Sequence, residues 1–406
     1  MTSVLLTVTG PDSPGVTGVL FAVLTARDVD GAGVDVLDVE QVVIRGALTL
    51  GVLVDTAGDA EALQERVEQA MATIGMQVRV SIGDSVSDTR RPVTHLVLVM
   101  GRPLQARTIG ALARRFGELG VNIDAIKRVA DYPVTGLELA VSVPDESALR
   151  TVVAQVGRSA GVDIAVQRAG IERRSKRLIV FDVDSTLITG EVIEMLADHT
   201  GSRSMVEEIT AAAMRGELDF AEALRARVAM LAGLDAAVLD QVGRSLELTP
   251  GARTTIRTLK RLGYRCGIVS GGFTQVAKHL VDALGLDFVA ANTLEVLGGR
   301  LTGKVVGDIV DRPGKARALK RFAADFDIPL SQTVAVGDGA NDIDMLSTAG
   351  LGIAFNAKPV VAQHADTALN QPFLDPVLFI LGISRADVEA ADAADGVDAL
   401  PRRALP

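Results

Sequence analysis

The chain has 406 residues, of which 48% are hydrophobic and 23% are charged, and its formal net charge is -10 at pH 7. This length predicts two or three domains with buried cores. The acidic balance disfavours nucleic-acid and membrane-surface proteins, because polyanions repel such a chain at long range. We expect no membrane-spanning helix, since no run of about 18 apolar residues occurs. A single cysteine, Cys266, rules out an internal disulfide, and residues 1–10 lack a basic and apolar leader, so the cytoplasm is the expected compartment.

Residues 1–170 contain two copies of one pattern. The apolar run 4–10 has its counterpart at 95–101, and a helical pattern with a glycine near its start follows each run. Each copy predicts a strand, a helix, two strands, a helix and a strand. This order resembles the ACT domain, a small ferredoxin-like α+β module that binds an amino acid between paired copies, and the resemblance covers 1–83 and 93–170.

The ACT resemblance implies a homodimer and an amino-acid effector, such as serine, near the first loop of each copy. Gly15 and Gly18 lie in the first of these loops, and Gly110 lies in the second, where a missing Cβ lets a ligand approach the backbone. The alternative is that these glycines only form turns.

Three segments have the composition of connections between domains. Residues 83–92 are polar and end at a proline, which is typical of a linker. Residues 168–177 carry five basic side chains, which we interpret as a solvated hinge. Residues 383–406 are rich in alanine and aspartate, which predicts a polar, frayed C-terminal tail.

Between 177 and 382, three apolar runs each end abruptly in a polar cluster. These runs are 178–181, 266–269 and 333–336, and a helical pattern follows each one. The pattern predicts a parallel sheet whose carboxyl-terminal edge gathers the polar residues. Cys266 lies inside one of these strands, so we expect a buried structural thiol.

The first cluster contains Asp182 and Asp184, two carboxylates just beyond a strand. Buried carboxylates this close repel one another, so they need a divalent cation or a shared proton, and oxygen ligands favour Mg²⁺. A calcium-binding EF-hand loop would need glycine at its sixth position and glutamate at its twelfth. These positions hold Leu187 and Ile193, which excludes that reading.

Three further features complete the polar edge. Ser270-Gly271-Gly272 opens a helix, whose N-terminal N–H groups favour an anion, and Lys315 supplies a positive charge. Asp338 and Asp342 follow the last strand. Taken singly, each feature has an ordinary explanation as a turn, a helix cap or a surface residue. The glycine-rich segment 298–305 nearly spells a nucleotide-binding P-loop, but it lies in a hairpin pattern and is interpreted as a turn.

Together and in this order, the four clusters resemble the haloacid dehalogenase (HAD) superfamily of phosphatases. The resemblance covers 177–382 and implies an α/β fold: a Rossmann-like parallel sheet with a helical cap inserted at about 190–250. It also implies Asp182 as the nucleophile and Asp184 as the general acid and base. The implied Mg²⁺ ligands are the Asp182 side chain, the Asp184 main-chain carbonyl and Asp338, with Asp342 supporting them. The implied phosphate-binding set is Ser270, Gly271, Lys315 and Asn341.

Within that superfamily, the cap resembles that of the phosphoserine phosphatases. The resemblance assigns Glu191 to the substrate amino group, Arg227 to its carboxylate, and Met214 and Phe220 to the apolar wall. Without it, these four residues read as helix surface charges and cap core. The implied function is hydrolysis of O-phospho-L-serine through an aspartyl phosphate, as the last step of serine biosynthesis and under feedback from an amino acid.

Two alternatives stay open at this point. One is a HAD phosphatase for another small or protein phosphomonoester, and the other is an amino-acid sensor without catalytic activity. The second is disfavoured because every titrating position of the clusters keeps the required residue type.

Overall fold

The computed structural model describes residues 2–26, 33–83, 92–214 and 217–397, and the chain forms two compact units that meet at Arg91 and Pro92. The central part of the predicted linker, 84–91, lies outside the described residues. Among the described residues, no helix is both long enough and apolar enough to cross a bilayer.

The first unit contains the first repeat, and its elements follow the predicted order. They are β1 (Thr2–Pro11), α1 (Val16–Thr25), β2 (Val34–Ile44), β3 (Ala47–Thr56), α2 (Ala60–Thr73) and β4 (Gln77–Ile82). The strands form an antiparallel sheet in the order β2-β3-β1-β4. Alternate residues of β1, such as Val4 and Leu6, are buried, as expected for a sheet with one face toward a core.

The second repeat has the same topology and belongs to the second unit. Its elements are β5 (His95–Gly101), α3 (Ala106–Glu118), β6 (Asn122–Ala130), β7 (Thr135–Ser142), α4 (Glu146–Ala160) and β8 (Asp163–Arg168). The sheet order is β6-β7-β5-β8, which matches the first repeat strand for strand. The duplication expected from the sequence is therefore present in the fold.

The three candidate regulatory glycines differ in their backbone setting. Gly15 precedes α1 with a φ of 101°, a conformation that favours glycine, so the turn interpretation fits this residue. Gly18 lies inside α1 and Gly110 inside α3, so the turn interpretation is wrong for both. Apart from the adjoining backbone of its own helix, no described atom lies within 4 Å of a Cβ built on either residue. The folded chain itself does not require glycine at these two positions.

The rest of the second unit is a seven-stranded sheet in the order β12-β11-β10-β9-β13-β14-β15, parallel except for β12. The strands are β9 (Leu178–Phe181), β10 (Arg265–Phe273), β11 (Phe288–Leu297), β12 (Arg300–Val306), β13 (Thr333–Gly337), β14 (Gly352–Phe355) and β15 (Thr367–Leu369). The three predicted strands β9, β10 and β13 are neighbours at its centre. Their carboxyl ends therefore share one edge.

Among the described residues, four α-helices lie in the segment 190–250, for which the sequence predicts a cap. They are α5 (Val192–Asp198), α6 (Arg203–Met214), α7 (Phe220–Ala229) and α8 (Ala237–Ser245). The predicted N-cap Asp219 accepts a hydrogen bond from Glu222 N at 2.7 Å, and the Glu222 carboxylate accepts one from Asp219 N at 3.1 Å. This reciprocal capping box fixes the start of α7.

The remaining α-helices are α9 (Ala252–Arg261), which leads from the cap into β10, and α10 (Thr274–Leu284), α11 (Arg312–Asp325), α12 (Ile343–Thr348), α13 (Pro359–Ala362), α14 (Pro376–Ile380) and α15 (Arg385–Ala394). Both faces of the sheet are buried, because Leu178 and Val180 of β9 belong to one apolar cluster and Ile179 and Phe181 to another. Continuous apolar runs are typical of parallel strands covered on both sides.

Two predictions are confirmed, one for Cys266 and one for the segment 298–305. Cys266 is fully buried in β10, and burial raises the pKa of its thiol to about 12, so it is not a nucleophile at neutral pH. The P-loop-like segment forms the β11–β12 hairpin, with positive φ at Gly298 and Gly299.

The prediction that the basic residues of 168–177 are solvated holds for Arg168, Arg174 and Arg177 and is wrong for Arg173 and Lys176. Arg173 pairs with Glu138 of the second repeat at 2.6 Å, with side chains only 11% and 17% exposed. Lys176 is also buried and donates hydrogen bonds to two main-chain carbonyls, at Ser331 and Gly350. A run of basic residues in the sequence does not indicate which of them will meet a buried carboxylate or carbonyl oxygen in the fold. The second repeat and the C-terminal sheet share one apolar core, which includes Met100.

The predicted frayed tail is also wrong for its first part. Ser384 caps α15, Arg385 lies almost fully buried against Asp375 at 3.2 Å, and Val388 joins the core. Residues 398–406 lie outside the described residues. Alanine favours helix formation and aspartate can pair with nearby arginines, so a segment rich in both can fold as a helix instead of fraying.

Candidate active site

Three carboxylates converge where β9 and β13 end. The backbone N–H of Asp182 donates to Val336 O at 2.8 Å, which aligns the two strand ends. Asp182, Asp338 and Asp342 each place a carboxylate oxygen within 4.8 Å of the others. Asp182 is 4% exposed and Asp342 is fully buried. The sequence prediction that the clusters meet at one edge is confirmed for these residues.

Lys315 lies beneath this acidic cluster and is fully buried. Its Nζ is 2.8 Å from Asp182 Oδ1 and 2.7 Å from Asp342 Oδ1. The helix that carries it, α11, begins at Asp311, whose side chain accepts a hydrogen bond from Gly314 N at 2.7 Å. Burial alone lowers the pKa of Lys315, but Asp182 and Asp342 together raise it above its usual range. The lysine is therefore a fixed positive charge.

The positive charge of Lys315 does not neutralise the negative charge of the three clustered carboxylates. Burial, and then the facing carboxylate of Asp342, raise the pKa of Asp182 well above its ordinary value. The same two causes raise the pKa of Asp338 to about 6. A small divalent cation would supply the missing charge, and clustered carboxylate oxygens are the donors that Mg²⁺ prefers. The donor set present fits such an ion.

Hydrogen bonds from neighbouring groups hold two of these carboxylates in place. Asp342 accepts from Lys315 through Oδ1 and from Gly339 N through Oδ2 at 2.9 Å. Asp338 accepts a hydrogen bond from Thr186 Oγ1 at 2.9 Å, and the carbonyl of Thr186 accepts one from Thr249 Oγ1 at 2.7 Å. Sequence reasoning missed both threonines, although Thr186 stands in the same loop as Asp182 and Asp184.

The end of β10 carries small residues next to the acidic cluster, so Ser270, Gly271 and Gly272 belong to a strand and do not open the helix as predicted. Ser270 is 1% exposed, and its Oγ accepts a hydrogen bond from Gly272 N at 2.8 Å, which leaves the hydroxyl proton free to bind an anion. A Cβ on Gly271 would lie 3.1 Å from the Phe220 ring, so a larger residue would require the ring to shift. Asn341 lies beside the same segment.

Asp184 and Glu191 lie at the mouth of the cap. Asp184 Oδ1 accepts a hydrogen bond from Val192 N at 2.7 Å, and burial and then Glu191 raise the pKa of Asp184 to about 7. Burial also raises the pKa of Glu191, although the hydrogen bond from Ser185 Oγ at 2.9 Å opposes the shift. An acid with a pKa near neutrality suits proton donation and acceptance.

A cavity of about 420 Å³ lies between the cap and the sheet edge. Arg227 forms part of its wall, where Nη1 contacts Thr210 Oγ1 at 3.4 Å and Nε donates to Ala223 O at 3.3 Å. Burial lowers the pKa of Arg227, and Glu191 is its main opposing charge. Arg227 and Glu191 thus bring one side chain of each charge type to the cap side of the same cavity.

Most predicted site residues line this cavity: Asp182, Asp184, Glu191, Phe220, Arg227, Gly271, Asp338 and Asn341. Ser270, Lys315 and Asp342 are not in its lining and lie buried at the ends of the strands. The side chain of Met214 lies outside the described part of the chain. Sequence reasoning missed Thr210 and Leu218 in the cap and Arg312 at the start of α11. Helical spacing in the cap does not indicate which face meets the sheet edge.

Comparison with known proteins agrees with this geometry. The family model for haloacid dehalogenase-like hydrolases matches 179–347, and ACT-domain models match 2–81 and 93–167. The predicted fold, an α/β HAD domain with a helical cap preceded by two ACT domains, is therefore confirmed.

Relatives of known name match almost end to end. A phosphoserine phosphatase of Mycobacterium tuberculosis is 57% identical, covering 97% of this chain and 96% of its own. A phosphoserine phosphatase of Streptomyces coelicolor is 55% identical, covering 96% and 94%. The crystal structure of a probable phosphoserine phosphatase from Vibrio cholerae shares 33% identity, with a TM-score of 0.57 over 73% of this chain and 88% of that one. With its acidic cluster, the Ser270–Gly272 segment and the cap in place, the chain belongs to the phosphoserine phosphatase family.

Proposed function

We propose that this protein hydrolyses O-phospho-L-serine to L-serine and inorganic phosphate through an aspartyl-phosphate intermediate. The observation that carries the proposal is the single cavity that joins Asp182 at its base to Glu191 and Arg227 in its wall. A phosphomonoester of a zwitterionic amino acid needs a nucleophile at one end and one charge of each sign at the other.

At the phosphoryl end, Asp182 attacks phosphorus, and a bond forms between its carboxylate oxygen and phosphorus as the bond to the serine oxygen breaks. Lys315, 2.8 Å from Asp182 Oδ1, holds the nucleophile and offsets negative charge. The Ser270 hydroxyl and the Gly271 N–H donate to the phosphoryl oxygens, and Asn341 orients them. Fixed donors aimed at developing charge lower the barrier without reorganising during the reaction.

The metal that fits the acidic cluster is Mg²⁺, held by the Asp182 side chain, the Asp184 main-chain carbonyl and Asp338. When bound, it supplies positive charge against the nucleophile and the phosphoryl oxygens. Asp342 positions this set through its bonds to Lys315 and Gly339.

Asp184 carries the proton. With a pKa of about 7, it holds a proton near neutral pH and gives it to the departing serine oxygen. It then takes a proton from the water molecule that attacks the aspartyl phosphate. The cap limits access of bulk water while the intermediate exists.

At the serine end, Glu191 accepts hydrogen bonds from the substrate ammonium group and Arg227 binds the carboxylate. The planar guanidinium matches a carboxylate through two parallel hydrogen bonds. Phe220, which packs over Gly271, closes the apolar side, and the family resemblance assigns Met214 to the same wall.

The direct test is phosphate release from O-phospho-L-serine by the full chain, with added Mg²⁺ and with excess chelator. We expect turnover that the chelator stops and that Mg²⁺ restores. Release from other phosphomonoesters but not from O-phosphoserine would favour a different HAD phosphatase. No release from any phosphomonoester would favour an amino-acid sensor.

Arg227 gives the sharpest test of substrate choice. Arg227→Ala should raise KM for O-phospho-L-serine by about 100-fold, because a charge-assisted pair is worth roughly 1.5–3 kcal/mol, while turnover of an aryl phosphate largely survives. The matched control is Arg225→Ala, an exposed arginine on the same helix, which should leave both substrates unchanged. Equal losses on both substrates in Arg227→Ala would contradict the assignment.

We further infer two regulatory domains, 1–83 and 93–170, before a catalytic domain at 177–382, and a homodimer in which L-serine or another amino acid binds near Gly15, just before α1, and near Gly18 and Gly110, inside α1 and α3. If so, L-serine inhibits by favouring one arrangement of the dimer, and this ends its own synthesis. Gly18→Leu and Gly110→Leu test this, because a Cβ at either position enters open space, so the larger side chain would take up room beside the helix that a ligand needs. Inhibition that survives in both variants would restrict L-serine to the active site.

A further inference from the structure

Asn292 is a buried amide outside the set of residues assigned above. It lies on β11, next to the end of β10, and is 1% exposed. Its Nδ2 donates a hydrogen bond to Gly271 O at 2.7 Å. Its Oδ1 accepts one from Val310 N at 2.8 Å. Both ends of the amide are therefore used, each by a main-chain group.

The first bond fixes a peptide within Ser270, Gly271 and Gly272, the segment that we call the phosphate loop. Gly271 O belongs to the same peptide plane as Gly272 N, and in a trans peptide these two groups point in opposite directions. Asn292 holds the carbonyl side, and Ser270 Oγ accepts from the N–H side at 2.8 Å. A peptide between two glycines rotates easily, because neither residue has a Cβ to restrict it. The two bonds together oppose that rotation.

The orientation of this peptide matters for the bound anion. As long as Gly272 N donates to Ser270 Oγ, the Ser270 proton is free for a phosphoryl oxygen. A rotated peptide would turn the Gly271 carbonyl from Asn292 toward Ser270, which would then have to donate its proton to that carbonyl. The phosphoryl group would lose one donor.

The second bond ties the loop to the lysine helix. Val310 lies just before Asp311, the N-cap of α11, and Lys315 N donates to Asp311 O at 2.8 Å within the first turn. A single side chain thus connects the main chain of the phosphate loop with the start of the helix that carries Lys315. An amide carries its donor and its acceptor on separate atoms of one uncharged side chain, so it can connect two main-chain groups.

We infer that Asn292 is a positioning residue for phosphoryl binding, which locks the Gly271–Gly272 peptide and aligns it with the start of α11. The inference rests on the proposed function, because it assigns the phosphate loop to the substrate. Asn292 acts through Gly271, Ser270 and Lys315 and does not itself contact the substrate.

The test compares Asn292→Ala with Gln275→Ala. Gln275 is a matched control, since its amide also makes two bonds to the main chain of β11, both to Leu294, at 2.7 and 3.3 Å, away from the phosphate loop. The readouts are the inhibition constant of inorganic phosphate, KM and kcat with an aryl phosphate, the Mg²⁺ concentration at half-maximal rate, and Tm.

In Asn292→Ala we expect the inhibition constant of phosphate and KM to rise together by about tenfold, which corresponds to one lost buried hydrogen bond. The Mg²⁺ requirement should change by less than about twofold, because the metal ligands are untouched. Gln275→Ala should lower Tm to a similar extent without weakening phosphate inhibition. Should Asn292→Ala not fold, Asn292→Leu fills the space and removes the same bonds.

An unchanged phosphate inhibition constant in the folded Asn292 variant would overturn the inference. An equal rise of the phosphate inhibition constant in Gln275→Ala would also overturn the inference. It would show that the loss of any side-chain hydrogen bonds to β11 weakens phosphate binding. If the proposed function fails, wild-type protein releases phosphate from the aryl ester and not from O-phosphoserine. Inhibition by inorganic phosphate still tests the role of Asn292 in that case, so the two failures can be told apart.

Discussion

Replacement of Asp182 by asparagine should reduce phosphate release on the order of 10⁴–10⁶-fold, the scale observed when a covalent nucleophile is removed. The amide keeps the volume of the carboxylate but is a poor nucleophile, and it leaves Lys315 with one carboxylate partner where it had two. The measurement is single-turnover release of inorganic phosphate from O-phospho-L-serine at saturating Mg²⁺.

The control for this variant is Asp325→Asn, an exposed aspartate near the end of α11 that should retain the wild-type rate. Circular dichroism spectra and Tm values would show that Asp182→Asn is folded. We expect its Tm to be at least that of wild type without metal, because the substitution removes a carboxylate that is repelled by Asp342. A folded variant with undiminished release would contradict covalent catalysis by Asp182.

Replacement of Lys315 by methionine should reduce kcat by about 10²–10³-fold, the loss that accompanies removal of one fixed group that stabilises charge in a transition state. It should also destabilise the metal-free protein by about 3 kcal/mol, because two buried carboxylates lose their shared cation. Methionine keeps the length of the side chain, so the packing of α11 is preserved.

The stability loss in Lys315→Met should shrink when Mg²⁺ is added, since the ion restores positive charge to the cluster. It should also shrink in acid. The pKa values of Asp182 and Asp338 are raised in the folded state, so protonation favours folding and lowers the repulsion that the variant suffers. Chemical denaturation with and without Mg²⁺ measures both effects. Lys320→Met, at an exposed position on the same helix, is the control, and equal losses in both variants would contradict the assigned role.

The sequence was informative where a pattern has one physical meaning. Apolar runs that end in Asp182, Ser270 and Asp338 predict buried parallel strands with polar carboxyl ends, and the sheet places β10, β9 and β13 side by side. The duplicated element order of the two repeats is likewise visible in spacing alone.

Contacts between distant segments were not predictable in the same way. Nothing in the local pattern of Arg173 or Lys176 indicates that they meet Glu138 and two main-chain carbonyls in the fold. Asn292 stands in an ordinary strand sequence, and its role follows only when β11 lies beside the phosphate loop. Such residues acquire their partners from tertiary structure, which spacing within one segment does not encode.

The most direct test of the account is whether phosphorus becomes attached to Asp182 during turnover. Wild-type protein mixed with O-phospho-L-serine and Mg²⁺, quenched in acid within the first turnover and digested, should yield the peptide containing Asp182 heavier by one phosphoryl group, and borohydride reduction should convert that residue to homoserine. The result that would contradict the account is rapid phosphate release in the same samples with the modification absent from Asp182 or located on another residue.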